Sequence, residues 1–264
     1  MDYVMICGVA LIVAALTLFS GFGLGTILMP VFALFFPIEI AVAATAIVHL
    51  ANNVFKVFLV GRHADLPVVA RFAIPAALAA VGGALLLERV SAAEPVARYT
   101  LGPGTHVVTP VKLVVAALVV AFAVLELAPR FERLAFNKKF IPVGGVLSGF
   151  FGGLSGHQGA LRTAFLTRAG LAKEALIGTM VVSAVAVDVS RLVVYGSTFL
   201  TGSLGAVARS GTSVWGLVAA GSVAAFAGSF IGARLVKNVT MRAIQVLVGA
   251  MLLLLGIALG TGLV

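Results

Sequence analysis

Apolar residues run through this chain in long blocks, with the polar residues confined mostly to short intervals between them. Eight apolar segments can be drawn, at roughly 3–36, 40–60, 66–87, 110–128, 141–167, 174–195, 214–235 and 243–262. A helix on the surface of a soluble domain shows a polar stripe recurring every ~3.6 residues, and most of these segments show none. Blocks of ~20 apolar residues match the thickness of a hydrocarbon core. The pattern predicts an all-α integral membrane protein with about eight transmembrane segments.

Two segments depart from a simple span. Segment 3–36 is too long for one crossing and is interrupted at Gly21, Gly23 and Gly25. Segment 141–167 is interrupted at Gly149, Gly152, Gly153, Gly156 and Gly159. Non-helical backbone survives at membrane depth only where protein or a water-filled cavity satisfies it, so both read as broken helices or re-entrant hairpins. The halves also resemble one another. A shift of 135 lays Asn53-Val-Phe-Lys56 on Asp188-Val-Ser-Arg191, and a shift of 133 lays Gly23 and Phe32 on Gly156 and Phe165. The expected organisation is a first repeat at 1–128, a basic connecting loop at 129–140 and a second repeat at 141–264. Interrupted segments at matching places in two halves point to a transporter's binding site.

Composition sharpens the class. The chain of 264 residues is 61% hydrophobic and 10% charged, against roughly 45–50% and 25% in soluble domains. Its net charge of +9 would point to nucleic acid in a soluble protein. Here the basic residues are scattered through short loops, which reads as membrane topology and attraction to lipid headgroups, with no nucleic-acid partner. Asp2 stands where a signal peptide would carry a basic residue, so the first block is expected to be retained. The single cysteine, Cys7, excludes an internal disulfide and a paired-cysteine redox motif. If every segment crosses, one side holds Arg62, Arg71, Arg130, Arg133, Lys138, Lys139 and Arg209. The other holds Arg89, Arg98, Arg168, Lys173, Arg234, Lys237 and Arg242. The counts tie, and only the basic density of 129–140 tilts that loop and both termini toward the cytoplasm.

Polar groups inside apolar segments are costly, at ~2.5–3.5 kcal/mol per charge on insertion scales. His49, Asn52, Asn53 and Lys56 share one arc of a helix, so they face a cavity or partner, or else Lys56 snorkels to a nearby interface. Asp188, Arg191 and Tyr195 form a second one-faced set. Asp188 and Arg191, at i and i+3, either neutralise each other or make an anion contact, with Asp188 holding the arginine or carrying a proton. The densest constellation is Gly153-Leu-Ser155-Gly156-His157-Gln158-Gly159-Ala-Leu-Arg162. A helix restarting near Gln158–Gly159 directs free N–H groups at an anion. Ser155, His157, Gln158 and Arg162 add donors, and the planar fork of Arg162 suits a sulfonate or carboxylate. A glycine-mediated helix crossing, with His157 satisfied internally, is the structural alternative.

The string Gly-Phe-Gly-Leu-Gly-Thr-Ile-Leu-Met-Pro at 21–30, followed by Ala43-Ala-Thr45, resembles the opening of the TauE/SafE-like sulfite exporter family. Gly152–Leu166, with its Ser-Gly-His-Gln-Gly-Ala-Leu-Arg core, is similar to a subgroup of that family, and the resemblance spans essentially the whole chain. One departure is the Gly23-Leu24-Gly25 string, where family openings often carry three consecutive glycines. The resemblance implies a multi-pass permease of the bacterial inner membrane, without cofactor, for sulfite, an organosulfonate or a related organic acid. A proton or cation gradient would drive it, with Asp188 and His49 as the coupling groups; a homodimer is left open. The binding set expected from the residue pattern above is Arg162, Gln158, His157, Ser155, Gly156, Lys56, Asn53, Asn52, His49 and Arg191, with Gly23, Gly25 and Thr26 from the first half.

Other classes fit less well. Gly153-Leu-Ser155-Gly156 matches the serine motif of rhomboid proteases, and His49-x-x-x-Asn53 resembles their oxyanion pair. No histidine follows His157, however, and a helical continuation would turn its ring away from Ser155. A light-driven pump needs a late intramembrane lysine, whereas Lys237 lies at a segment end. A passive anion channel shares every residue above and differs only in kinetics.

Overall fold

The computed structural model describes residues 2–17, 23–102, 104–128, 136–202, 214–235 and 241–263. Ten α-helices stand in this description: α1 Asp2–Thr17, α2 Leu24–Ala33, α3 Ile38–Val60, α4 Leu66–Ser91, α5 Pro110–Leu127, α6 Ile141–Ser155, α7 Gly159–Leu166, α8 Lys173–Gly202, α9 Val214–Leu235 and α10 Met241–Gly260. Four of these are long and apolar enough to cross a bilayer, over Ile38–His63, Leu66–Ser91, Lys173–Gly196 and Val214–Gly232. Shorter apolar stretches lie at Asp2–Leu16, Leu24–Ala33, Pro110–Leu125 and Gly249–Gly260. Side chains such as Phe58 (83% exposed) and Leu78 (71%) point away from the protein. Such apolar exposure suits acyl chains as solvent.

Local chemistry sets the helix starts. Asp65 caps α4 by accepting from Val68 N (3.0 Å), and Thr109 caps α5 by accepting from Lys112 N (3.3 Å). Each helix has a proline in its first turn, where the missing N–H costs nothing. Thr179 on α8 accepts from Asp65 N (2.9 Å), tying the α3–α4 turn to α8.

The all-α expectation needs one correction. Ala97–Leu101 (β1) and Gly104–Val108 (β2) pair antiparallel, with Tyr99 opposite His106. Tyr and the Val pair favour extended backbone, in an interval where helix periodicity had nothing to say. The β-hairpin grips the end of the chain. Tyr99 Oη donates to Thr261 O, and His106 Nδ1 lies 3.3 Å from Gly262 O.

Helix directions follow from close contacts. Gly145, Gly149 and Gly153 of α6 face the carbonyls of Phe72, Ala76 and Ala80 on α4, so these helices run parallel with their backbones touching. Gly228 and Gly232 of α9 meet Leu11 O and Ala15 O of α1 in a second such parallel seam. Small residues at four-residue spacing permit this approach. Helix α9 is also parallel to α3, since Gly221 lies beside Val48 and, one turn further along both helices, Ala225 O lies 3.2 Å from the Asn52 amide. Helix α8 runs against α3, and α5 packs against α10. The first helix of each expected half thus packs on the fourth helix of the other half.

Both anomalous segments are broken. Helix α6 ends at Ser155, Gly156 takes φ +82°, and α7 restarts at Gly159. In the first half α1 ends at Thr17, Gly23 takes φ +119°, and α2 starts at Leu24. Gly21 lies outside the described residues, as do 129–135 of the expected connecting loop. Helix α7 turns back along α6, bringing Phe165 against Gly144, and it ends before a second left-handed glycine, Gly170 (φ +73°). This turn-back corrects the assignment of sides. Arg168 and Lys173 sit at the same end as Arg62, Lys138 and Lys139, not opposite them. Asp2 and Thr261–Leu263 sit at the far end, with the β-hairpin, rather than beside residues 136–140. The tie in basic residues assumed a crossing that α6 and α7 do not make.

Candidate functional site

Asp188, in the middle of α8, gathers side chains from three elements. Its Oδ2 accepts from His49 Nδ1 at 2.6 Å and from Asn53 Nδ2 at 3.1 Å, both on α3. Its Oδ1 accepts from Gln158 Nε2 at 2.8 Å, and from Arg191 Nε (3.1 Å) and Nη2 (2.6 Å) one turn along α8. An ionised carboxylate only accepts, so His49 carries its proton on Nδ1 in this arrangement. All five residues are buried, and Asp188 and Arg191 are 0% exposed. Spacing explains the convergence: His49 and Asn53 are four apart on α3, and Asp188 lies opposite them because α3 and α8 are antiparallel.

The network continues from Gln158 to Arg162, whose Nη1 donates to Gln158 Oε1 at 2.9 Å across one turn of α7. The next face of α3 serves a different neighbour. Turned so that its nitrogen donates to Ser229 Oγ (2.8 Å) and Ala225 O (3.2 Å) on α9, the Asn52 amide offers its oxygen to Lys56 Nζ at 3.3 Å. That orientation satisfies every group, whereas the reverse sets the amide nitrogen against the ammonium. Lys56 is only 6% exposed, and Asn52 is its one hydrogen-bond partner among the described residues. It is buried on a cavity- or partner-facing side and does not snorkel.

The break in the second half is held by side chains. Arg191 Nη1 donates to Gly152 O (3.1 Å), Tyr195 Oη to Gly153 O, and Ser148 Oγ to Gln158 O (2.8 Å). His157 Nδ1 donates to Ser155 O (3.0 Å), and Gln158 N to Gly156 O (3.1 Å). Carbonyls freed by the break are therefore satisfied within the protein, as backbone in a bilayer requires. The restarting helices keep donors in reserve. Ile27 N is the first in α2 to bond back, to Gly23 O, and Arg162 N the first in α7, to Gln158 O. First-turn N–H groups before them have no intrahelical acceptor. The two breaks adjoin, since a Cβ on Gly25 would lie 3.4 Å from the His49 ring and 3.5 Å from Gly156 O. Thr26, the next residue, is buried.

The His157 ring does not turn away from Ser155. The left-handed Gly156 folds the chain back and leaves Nδ1 3.1 Å from Ser155 Oγ. The geometry still provides no general base, because Nδ1 spends its proton on Ser155 O and Ser155 Oγ donates to Phe151 O (3.1 Å). His157 Nε2 is buried without a hydrogen bond among the described residues, and the ring stacks on Phe122. Ser229 and Ser148 carried no signal in the sequence, since lone hydroxyls are common in apolar helices. No cluster of three or more metal-ligating side chains occurs among the described residues.

Long apolar helices surrounding a buried polar network at two adjoining helix breaks define a polytopic membrane transporter. The chain belongs to the sulfite exporter TauE/SafE family, whose family model matches residues 6–259. Membership makes it an anion permease in coarse terms. No curated protein and no solved structure matches it.

Proposed function

We propose that the chain is a secondary transporter that binds one small anion between the two adjoining breaks and exchanges it across the bacterial plasma membrane. Sulfite, an organosulfonate or a related organic acid is the substrate class. Lys56 carries the reading: a buried ammonium held by a single amide oxygen, in a protein whose one described buried carboxylate is already occupied. Asp188 is spoken for by Arg191, His49, Asn53 and Gln158, so a bound anion is what would balance Lys56. Arg162 supplies the two-pronged contact, and the free first-turn N–H groups at Gly25, Thr26, Gly159 and Ala160 supply the rest. Ser155, Gly156 and His157 shape the tip, and Gly23 turns the chain into α2. Arg191, with its donors committed to Asp188 and Gly152, braces the break rather than touching substrate.

The reciprocal packing of first and fourth helices supports two inverted repeats. In this reading α3, α4, α5, α8, α9 and α10 cross, while α1–α2 and α6–α7 are re-entrant hairpins entering from opposite sides. The His49–Asp188 pair carries the coupling proton, which in the other state would sit on Asp188 Oδ2. The test is counterflow in proteoliposomes with sulfite, sulfoacetate, taurine and simple carboxylates. One of these should show saturable uptake accelerated by the same anion inside the vesicle. Flux that neither saturates nor responds to internal substrate would make the protein a passive channel and sink the proposal.

A further inference from the structure

Outside the buried network, charged side chains are divided unequally between the two ends of the helix array. Arg62, Arg71, Lys138, Lys139, Arg168 and Lys173 are exposed at the end where α3 turns into α4, α6 begins and α7 passes to α8. Among the residues whose side chains are described, the acidic ones there are Asp65 and Glu174. At the β-hairpin end the basic residues are Arg89, Arg98 and Lys112, and they are matched by Glu39, Glu88 and Glu94, with Asp2 beyond them. Among the residues whose side chains are described, six basic groups face three. The tie in the sequence is broken by one fact of the fold: the α6–α7 turn-back brings Arg168 and Lys173 round to join Lys138.

Lys and Arg in short loops near helix ends fix orientation, because the cytoplasmic leaflet is anionic and basic segments resist translocation. The apolar residues mixed into the basic end point to lipid rather than to a soluble polyanion. Leu66 is 69% exposed beside Arg62, and Phe140 is 41% exposed with Lys139 Nζ 5.0 Å above its ring. Aromatic and basic side chains side by side are suited to the headgroup boundary. We infer that the Lys138 end faces the cytoplasm against anionic phospholipid headgroups, which places the β-hairpin, Asp2 and Thr261–Leu263 on the external face. Helix α7, with Arg162, then enters from the cytoplasmic side, and α2 with Thr26 from outside. The inference rests on the membrane reading alone and holds whatever anion is carried.

The experiment places single cysteines in the full chain after Cys7→Ala, at Ala93 near the β-hairpin and at Ala172 before α8. Both positions are exposed, and neither change removes a charge. A membrane-impermeant maleimide is expected to label Ala93→Cys in intact cells, and Ala172→Cys only after permeabilisation. Labelling of Ala172→Cys in intact cells, alone or together with Ala93→Cys, overturns the orientation. A second measurement does not depend on those variants folding. Alkaline phosphatase fused after Val264 should be active and green fluorescent protein at the same place dark; the reverse overturns the inference. Changing Arg62, Arg71, Lys138 and Lys139 to glutamine should convert the clean labelling pattern into a mixed one. An unchanged pattern would show that these charges do not set the orientation. Counterflow is not involved, so loss of transport in any variant leaves this result readable.

Discussion

Lys56 and Asp188 are both buried ionisable residues, yet their substitutions should behave in opposite ways. Asp188→Asn leaves Arg191 and His49 without their carboxylate. Removing one partner of a buried pair typically costs ~3–5 kcal/mol, so this variant should show the larger fall in thermal midpoint in detergent. Lys56→Met breaks no ion pair among the described residues and removes a buried charge, so its midpoint should hold or rise. Its apparent affinity for substrate should fall by roughly 30-fold or more, matching the ~2–5 kcal/mol attached to a buried charge contact. Unchanged affinity in Lys56→Met would remove Lys56 from the binding set. Arg162→Ala should lose affinity on the same scale, and Arg162→Lys should remain impaired because a point charge lacks the two-pronged geometry. Transport and substrate-induced stabilisation of the expression-matched variants would show it; near-normal affinity in Arg162→Ala makes that residue structural. At this scale the sequence was informative, because charge in an apolar segment is conspicuous. His49, Asn53, Asp188, Gln158 and Arg162 were all visible as candidates. Which of them touch was not, since the His49–Asp188 contact bridges 139 residues of chain and depends on the antiparallel placement of α3 and α8.

Glycine has two separate uses in and just beyond α6. Gly156 takes a left-handed turn that side chains rarely adopt, while Gly149 is helical and simply lets two backbones meet. A Cβ at Gly149 collides with Ala76 O, whereas one at Gly82 on α4 meets nothing within 4 Å. Gly149→Ala should therefore destabilise by ~1–3 kcal/mol through overpacking. Gly82→Ala should be neutral or stabilising by up to ~1 kcal/mol through helix propensity. Comparing thermal midpoints of the two variants checks this, and equal effects would mean that the seam tolerates separation. Segment length and clustered glycines made both breaks legible. The β-hairpin was not, because its strands are five residues each and too short for alternation to stand out.

On the scale of the whole molecule the halves are interlocked rather than adjacent. Helix α1 packs on α9, α6 on α4, and α5 on α10. Residues 1–128 and 129–264 produced as separate chains in one cell should therefore co-purify as a complex, and neither should be recovered as a monodisperse species alone. Independent recovery of each half would show them to be self-sufficient domains. The match of Asn53-Val-Phe-Lys56 to Asp188-Val-Ser-Arg191 is what the sequence offers toward a duplication, and the exchange of partners between the halves is invisible to any linear pattern. The direction in which each segment travels was equally hidden, which is why counting basic residues along the chain ended level.

The bare seam between α4 and α6 has a mechanical corollary. Two backbones in contact, with no side chains between them to slide or re-pack, move as a single beam. Any motion that uncovers the polar network has to come from a part not welded to that beam. Helix α7 fits: eight residues, about 12 Å long at 1.5 Å per residue, with Arg162 at its middle and a left-handed glycine beyond each end. In the proposed transport cycle it would serve as a short lever with a pivot at either tip. Its swing would carry Arg162 while leaving α6, and the carbonyls that Arg191 and Tyr195 hold, at rest.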